Sequence, residues 1–489
     1  MNTKKIYAGL PKQGSNTSQA IPQGITSCSK KPHGRSTFLT LTLGLFLFSS
    51  CEKYLEVGLP KTQLTAKTVF ESDATATAAL ATTYLRAGDF AGGGANSITL
   101  ISAYLADETD SYTTSQPLQQ LANGQPIPSN SVLSTLWNNL YTVIYQSNVL
   151  IEGISNNPKI SPASYKRLHG EALFLRAYAH LSLSSLFGDV PLALSSDYRS
   201  NALLARSPSS AVYSQVISDL QQAKELLGDT YASYNNERIG ANRWTASALL
   251  ARAYLYSGDY TRAQSEASLV IGSPLFSLPP LAQVFLKNSN ETILSYRPAA
   301  NLVATPEANI FILTARPQQL ALSASFHSGF ENGDARKTNW TAKLTTGGID
   351  YFYPFKYKSR NSSPLTEYSV ILRLAEQHLI RAEASARLNQ LPAALADLDL
   401  LRQRAGLPKL SDSQPALGQT AVIDAVFKER RSELFTEWNH RWVDLQRFGK
   451  ATSLLPLVKP DWKPHVLLLP IPEADMRSNP NLVQNPGYQ

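Results

Sequence analysis

The densest run of residues that could do chemistry is ERRSELFTEWNHRWVD at 429–444. Glu429, Glu433 and Glu437 recur every four residues, which places three carboxylates along one side of a helix. Two carboxylates facing each other across a sugar, one protonated and one ionised, are the working parts of a glycoside hydrolase. Here Arg430, Arg431 and Arg441 are interleaved with them, and nearby guanidinium groups hold carboxylates ionised instead of raising one as a proton donor. The run therefore reads as an arginine–glutamate network that fixes helices. Other catalytic signatures are missing: there is no Gly-x-Ser-x-Gly, no His-Glu-x-x-His and no phosphate-binding Gly-x-x-x-x-Gly-Lys-Ser/Thr. GGGANS at 92–97 lacks the later glycine of a dinucleotide fingerprint. His169, His180, His327, His378, His440 and His465 are scattered without metal-ligand spacing. His378, with Leu374 and Ala382 one turn to either side, reads as a satisfied core histidine.

Binding a neutral polar ligand asks for other residue types: aromatic faces for apolar ring surfaces, with short polar side chains, Arg or Asp for hydroxyls. Such aromatics belong in polar, non-periodic surroundings. Trp340 in GDARKTNWTAKLTTGG is the first candidate, adjoined by Asn339, Arg336 and Asp334; its competing reading is a tryptophan tucked under its own loop. Tyr112 is the second, in LADETDSYTTS after Asp107, Glu108 and Asp110. Tyr351 and Tyr353 in IDYFYPFKYK alternate like one face of a strand, so a plain structural strand competes there. Trp137, Trp244, Trp438 and Trp442 lie in helical patterns and are expected in the core. The carboxylates of 107–110 also admit a structural calcium ion; no other cofactor is indicated.

One thiol carries a separate chemistry. The apolar run 38–48 (FLTLTLGLFLF) is too short to span a bilayer, which takes about 20 residues. It fits a secretory signal, flanked by Lys30, Lys31 and Arg35 and followed by Ser49, Ser50 and Cys51. This resembles a bacterial lipobox, in which Cys51 is acylated and becomes the mature N-terminus; the thiolate is the side chain that alkylates most readily. Residues 1–50 are then a removed leader, long enough to suggest a start codon assigned too far upstream. The leader also explains the charge. The chain is +8, with 45 basic and 37 acidic residues, but 1–50 hold six basic residues and no acid. Removing those six leaves 39 basic against 37 acidic, about +2, and a nucleic-acid partner is no longer indicated. Cys28 goes with the leader, so no internal disulfide is possible.

The elements that must position these residues are mostly helical. Leu168, Ala172, Leu175, Ala179, Leu183 and Leu186 form one apolar face, and Val212, Val216, Leu220, Ala223 and Leu227 another. Leu136, Leu140, Val143, Leu150 and Ile154 form a third. Ser207 and Pro208 read as N-cap and first residue of the second of these helices. ASALLARAYLYSGDYTRAQSEASLVIGSP has a tetratricopeptide-like pattern: Ala251 lets two helices approach, Gly258-Asp259 makes the turn, and Ala263 and Ala267 face back. A second hairpin has Ile371, Ala375, Leu379, Ala382 and Ala386 on one helix and Ala394, Leu398 and Leu401 on the next, opened by Pro392 and closed by Gly406 and Pro408. The expected fold is mainly α: tetratricopeptide-like helical pairs forming a curved scaffold, with long irregular loop insertions at 88–130 and 277–366. Loops of that length are usually functional or disordered, and their aromatics argue against disorder.

With these stretches in hand, the chain resembles the SusD/RagB-like outer-membrane lipoproteins of Bacteroidota. The resemblance rests on CEKYLEVGLPKTQLTAKTVFESDATATAAL, LWNNLYTVIYQSNVLIEGI, GEALFLRAYAHLSLSSLFGDVPL, YSVILRLAEQHLIRAEA, KERRSELFTEWNHRWVDLQRFGK and LLLPIPEADMRSNPNLVQNPGYQ, six segments in order. Leu469, where Trp is common, and Asn439, where Gly is usual, depart from it. The resemblance implies a SusD-like body over 51–489: a helical part at 51–275 and, from 276, a loop-rich insertion, a helical pair and an extended tail. It implies a non-enzymatic lipoprotein of the outer membrane, exposed at the cell surface, that binds oligosaccharide and delivers it to a SusC-like TonB-dependent barrel. Glu52 and Glu56 beside Cys51 resemble the charge placement of exported lipoproteins in that group. A peptide-binding member, a helical-repeat assembly scaffold and a surface glycoside hydrolase are the alternatives. The family's ligand residues share no motif, so none carries over to a position here.

Overall fold

The computed structural model describes residues 69–91, 96–298 and 303–488. Cys51, the leader at 1–50 and the acidic pair Glu52 and Glu56 lie outside the described residues.

The backbone is mainly α-helical. The principal helices are α1 (Asp73–Ala91), α2 (Ile98–Leu105), α3 (Ser131–Ile154), α4 (Pro162–Phe187), α5 (Ser209–Leu226), α6 (Arg243–Ser257), α7 (Tyr260–Ile271), α8 (Ala335–Trp340), α9 (Leu374–Arg387), α10 (Leu391–Arg404), α11 (Gln419–Leu434) and α12 (His440–Arg447). From α3 to α7 each helix packs on the next; α7 then packs on α9, and α9 on α10 and α11. The turn at Gly258-Asp259 forms as the sequence indicates. Gly258 closes α6 at φ +83°, a left-handed conformation that suits glycine. The Asp259 carboxylate then caps α7 by accepting the Arg262 N–H at 3.0 Å. Ala251, Ala263 and Ala267 are fully buried, small enough to let the paired helices close on one another. Pro392 lies in the first turn of α10, and Gly406 (φ +75°) follows its end.

Charge pairs staple the stack. Arg176 of α4 grips Asp219 of α5 at 2.7 and 2.8 Å and reaches Asn148 of α3 at 2.9 Å. Arg252 of α6 makes a two-pronged pair with Glu376 of α9 at 2.6 and 2.7 Å. Both pairs are buried, so either partner alone would be a costly uncompensated charge.

Three local expectations are corrected. The helix α5 begins at Ser209, and Ser207 lies in a short strand; the Ser209 N–H is taken instead by the Asp189 carboxylate at 2.8 Å. Ile371 belongs to a strand, not to α9, as suits the β-branched pair in YSVILR. The insertion at 88–130 is not irregular throughout: α2 is buried at every position. A helix covered on all sides carries no apolar–polar period for the sequence to reveal.

Eight short strands make four antiparallel pairs among the described residues: β1 (Thr109–Ser111) with β5 (Leu320–Leu322), β2 (Val190–Pro191) with β3 (Arg206–Ser207), β4 (Thr292–Tyr296) with β8 (Ser369–Arg373), and β6 (Thr341–Thr346) with β7 (Ile349–Pro354). The β6–β7 hairpin turns through Gly347 and Gly348, both at positive φ, as a two-residue hairpin turn requires. Under the 277–366 insertion lies a second apolar core, which includes Phe285, Phe326, Phe330, Trp340, Tyr357 and Phe435.

Candidate functional site

The carboxylate run 429–437 is sealed, but it is not one helix face: α11 ends at Leu434, and Glu437 lies in the turn beyond it. Glu429, Glu433 and Glu437 are all buried. Glu433 accepts from Arg336 at 3.0 Å and from Arg373 at 2.7 Å, and Glu437 accepts from Arg373 at 2.8 Å. A network forms, as the sequence indicates, but with other arginines. Arg430, one step from Glu429, leaves α11 in another direction and turns to Asp444 at 2.7 Å, while Arg441 lies on α12 and turns to Asp107. Burial raises the Glu433 and Glu437 carboxyls, but the surrounding cations outweigh it and hold both below the usual range: Arg404, Arg373 and Arg336 for the first, Arg373 and Lys356 for the second. Glu429 differs, because burial outweighs Arg336 and pushes it up. The geometry gives no open acid–base pair. His378 is the satisfied core histidine expected, its Nδ1 at 2.7 Å from Asp397.

Several candidates for ligand contact fall in this interior. Trp340 has no exposed surface; its indole N–H donates to the Leu281 carbonyl at 3.0 Å and Phe285 meets its ring edge-on at 5.7 Å. No face is left for a sugar. Arg336 is equally buried, held by Asp334 at 2.8 Å and by Glu433. The polar neighbours that suggested a surface loop are charges neutralising one another inside. Asn339 folds its amide back onto the Ala335 carbonyl at 2.8 Å. Asp107 takes both prongs of Arg441 at 2.7 and 2.8 Å. Glu108 accepts the Thr436 amide at 3.1 Å, and Asp110 is exposed. The 107–110 carboxylates therefore do not converge, and no group of three or more potential metal ligands is gathered among the described residues. Of the tryptophans expected in the core, Trp137, Trp438 and Trp442 are buried, whereas Trp244 is half-buried.

The three tyrosines do come together. β1 lies on β5, and β5 packs against β7. This carries Tyr112, just past β1, to Tyr351 on β7: the ring centres are 5.6 Å apart at 79°, an edge-to-face contact. Tyr353, two residues along, shares the Tyr351 face of the strand and meets Phe355 at 5.8 Å and 85°. No hydrogen bond among the described residues occupies the Tyr112, Tyr351 or Tyr353 hydroxyls. Tyr112 is half-buried, while 5 % and 9 % of Tyr351 and Tyr353 are exposed, so Tyr112 offers the most open ring. Burial pushes the Tyr112 phenol up, with the Asp110 charge adding to it, so the hydroxyl stays a neutral donor and acceptor. The opposite face of β7 carries Phe352, stacked on His327 at 3.6 Å. Phe355 and Arg316, which flank the tyrosine run, were not singled out by the sequence; the aromatic density of IDYFYPFKYK was the available signal for the first.

With that geometry in place, the likeness to known proteins is informative. Residues 53–255 match a SusD-like family described as starch-binding and associating with the outer membrane, and residues 326–455 match the SusD family model, SusD/RagB. The chain belongs to the SusD/RagB family. SusD/RagB proteins are carbohydrate-binding and associated with the outer membrane. The SusD-like proteins P25 and P2 of Formosa agariphila are 24 % and 26 % identical, over 91 % and 80 % of this chain and 98 % and 87 % of their own. A SusD superfamily structure from Bacteroides thetaiotaomicron shares the fold at TM-score 0.72 and 22 % identity, over 85 % of this chain and all of that one. A laminarin-binding SusD-like protein does so at TM-score 0.71 and 23 % identity, over 86 % of this chain and all of that one. Against this SusD/RagB background, Asn439 donates its amide to Ser185 Oγ at 2.8 Å and Leu469 is buried, so both departures from the usual pattern are packing details.

Proposed function

We propose that this protein is a non-enzymatic, lipid-anchored receptor of the outer membrane, exposed at the cell surface. It takes up oligosaccharide on the Tyr112–Tyr351–Tyr353 face and hands it to a SusC-like TonB-dependent barrel. The observation that carries the reading is the meeting of Tyr112 and Tyr351. Two distant segments are brought together by three strands, and the meeting leaves three phenol hydroxyls without internal partners. Rings for the apolar faces of a sugar and hydroxyls for its polar rim are what a glycan site needs. The sealed carboxylates Glu429, Glu433 and Glu437 support binding without turnover. Acylation at Cys51 would supply the membrane tether, and the two chains of a diacylglyceryl group are enough to make it durable.

The test is calorimetry of the mature protein against a panel of oligosaccharides and, as a separate arm, peptides. Oligosaccharide binding without release of shorter products is expected, weakened about tenfold or more in Tyr112→Ala, since one stacked aromatic contact is worth on the order of 1 kcal/mol or more. Peptide binding alone, or product release, would overturn the reading. Pull-down from native membranes should bring a large barrel protein with the wild type.

A further inference from the structure

The charges around the tyrosine face bear on which class of sugar it takes. The Tyr112 N–H donates to the Gln319 carbonyl at 2.7 Å, so the segment leading into β5 runs beside the ring. Arg316, three residues earlier on that segment, is exposed, and its charge is felt at the Tyr112 phenol. Arg360 reaches the same segment, donating to Thr314 Oγ1 at 3.0 Å. At the other end of the aromatic run, the Lys358 ammonium lies 4.3 Å from the Phe355 ring centre and donates to the Asn339 and Phe355 carbonyls. Among the described residues, none of these three cations has a side-chain hydrogen bond or close ion pair with a carboxylate.

The opposing charges are fewer and partly occupied. Asp110 is exposed on β1 near Tyr112, where burial raises its carboxyl and Lys459 offsets part of the effect. Glu367 is spent on the backbone amides of Lys358 and Ser359 at 2.7 and 3.2 Å. At the hairpin tip Asp350 is closed by Lys343 at 2.8 Å. Cations therefore remain in surplus along both ends of the face. A neutral sugar gains little from them. An oxyanion gains a charge-assisted hydrogen bond, and a guanidinium fork matches the paired oxygens of a carboxylate or a sulfate ester.

We propose that the ligand of this face is an acidic glycan, whose carboxylate or sulfate is received by Arg316 with Arg360 beside it while a ring lies against Tyr112, which Tyr351 backs from within. The inference rests on the reading of that face as a sugar site. Calorimetry with tetragalacturonic acid, a κ-carrageenan tetrasaccharide (sulfated, without carboxylate) and the neutral laminaritetraose and cellotetraose tests it. At least one acidic probe should bind about tenfold more tightly than either neutral one, and raising salt from about 50 mM to about 300 mM should erode that advantage. Which acidic probe wins separates uronate from sulfate as the source of charge. In the double variant Arg316→Gln, Arg360→Gln, both surface positions, the acidic probe should lose about tenfold and a neutral probe less than about twofold. Neutral probes that bind as well as acidic ones and depend on Tyr112 would overturn the acidic class while leaving the sugar site intact. Failure of all four probes to bind would overturn both.

Discussion

A buried aromatic and an open one of similar size should respond to truncation in opposite ways. Trp340 is enclosed by Phe285, the Leu281 carbonyl and the Lys356 ammonium, which lies 5.0 Å from its ring centre. Trp340→Ala opens a cavity in the second core and should cost about 3–5 kcal/mol in urea unfolding. Under conditions where that variant is still folded, its glycan affinity should stay within about twofold of wild type. Tyr112→Ala is the reverse case: half-exposed, held by one edge-to-face contact, it should cost no more than about 1 kcal/mol of stability while removing most of the affinity. If Trp340→Ala lost ligand and kept its stability, the assignment of the two rings would be exchanged. Composition alone does not separate the two rings, because Trp340 stands among Asp334, Arg336 and Asn339 just as a surface residue would. These polar neighbours are satisfied inward: Asp334 by Arg336, Arg336 also by Glu429 and Glu433 of α11, and Asn339 by the Ala335 carbonyl.

At the scale of elements, the segment carrying Tyr112 is held by a charge pair. Asp107, just before β1, is gripped by Arg441 of α12, with Arg431 3.7 Å away. Asp107→Ala leaves the buried Arg441 guanidinium and the half-buried Arg431 without their carboxylate and removes the anchor that sets β1. Breaking a buried pair from one side costs about 3–5 kcal/mol, so unfolding should shift by that order. The glycan affinity of the folded fraction should fall as well, since Tyr112 follows five residues on. Unchanged affinity would mean that β5 alone fixes the tyrosine. What the sequence could and could not show divides along the same line. The α5 face, with Val212, Val216, Leu220 and Ala223 all fully buried, was legible because one side of that helix meets solvent. The tyrosine strand at 351–353 was legible from its alternation. α2 was not, being covered all round, nor was the partnership of Glu433 with Arg336, Arg373 and Arg404. Local periodicity registers which face is wet, whereas pairing between segments distant along the chain leaves no trace in either segment. Tyr112 and Tyr351 were each visible; their contact was not.

The molecule as a whole carries buried charge of both signs beneath the 277–366 insertion, and this sets how its stability varies with pH. Burial pushes the Glu108 carboxyl up to about 7, with the Asp107 charge adding and Arg441 and Arg431 opposing. Burial likewise pushes Glu307 up to about 7, where Ser369 is its hydrogen-bonding partner and Glu437 and Glu367 add repulsion. Between pH 4.5 and about 7 the folded chain keeps these two protons and the unfolded chain releases them, so stability falls as pH rises, by up to about 3 kcal/mol per group. Lys356 and Lys459 act in the other direction. Burial lowers both to about 8, against Glu437 for the first and against Asp107 and Asp110 for the second. From about 8 to 10.5 the unfolded lysines hold protons that the folded ones have lost, so stability recovers there. At the acid end Glu433 and Glu437, held below the usual range, lose their contribution as they protonate. Buried His180, lowered to about 3, acts against the carboxyls below pH 6.5, because there the unfolded imidazole holds a proton that the folded one has lost, so the carboxyl contribution is read as a difference between variants in urea unfolding across pH. Glu307→Gln keeps an acceptor for Ser369 and removes the titration: it should raise the unfolding midpoint at pH 8 and have little effect at pH 5. An equal gain at both pH values would show that packing, not the proton, separates the two side chains.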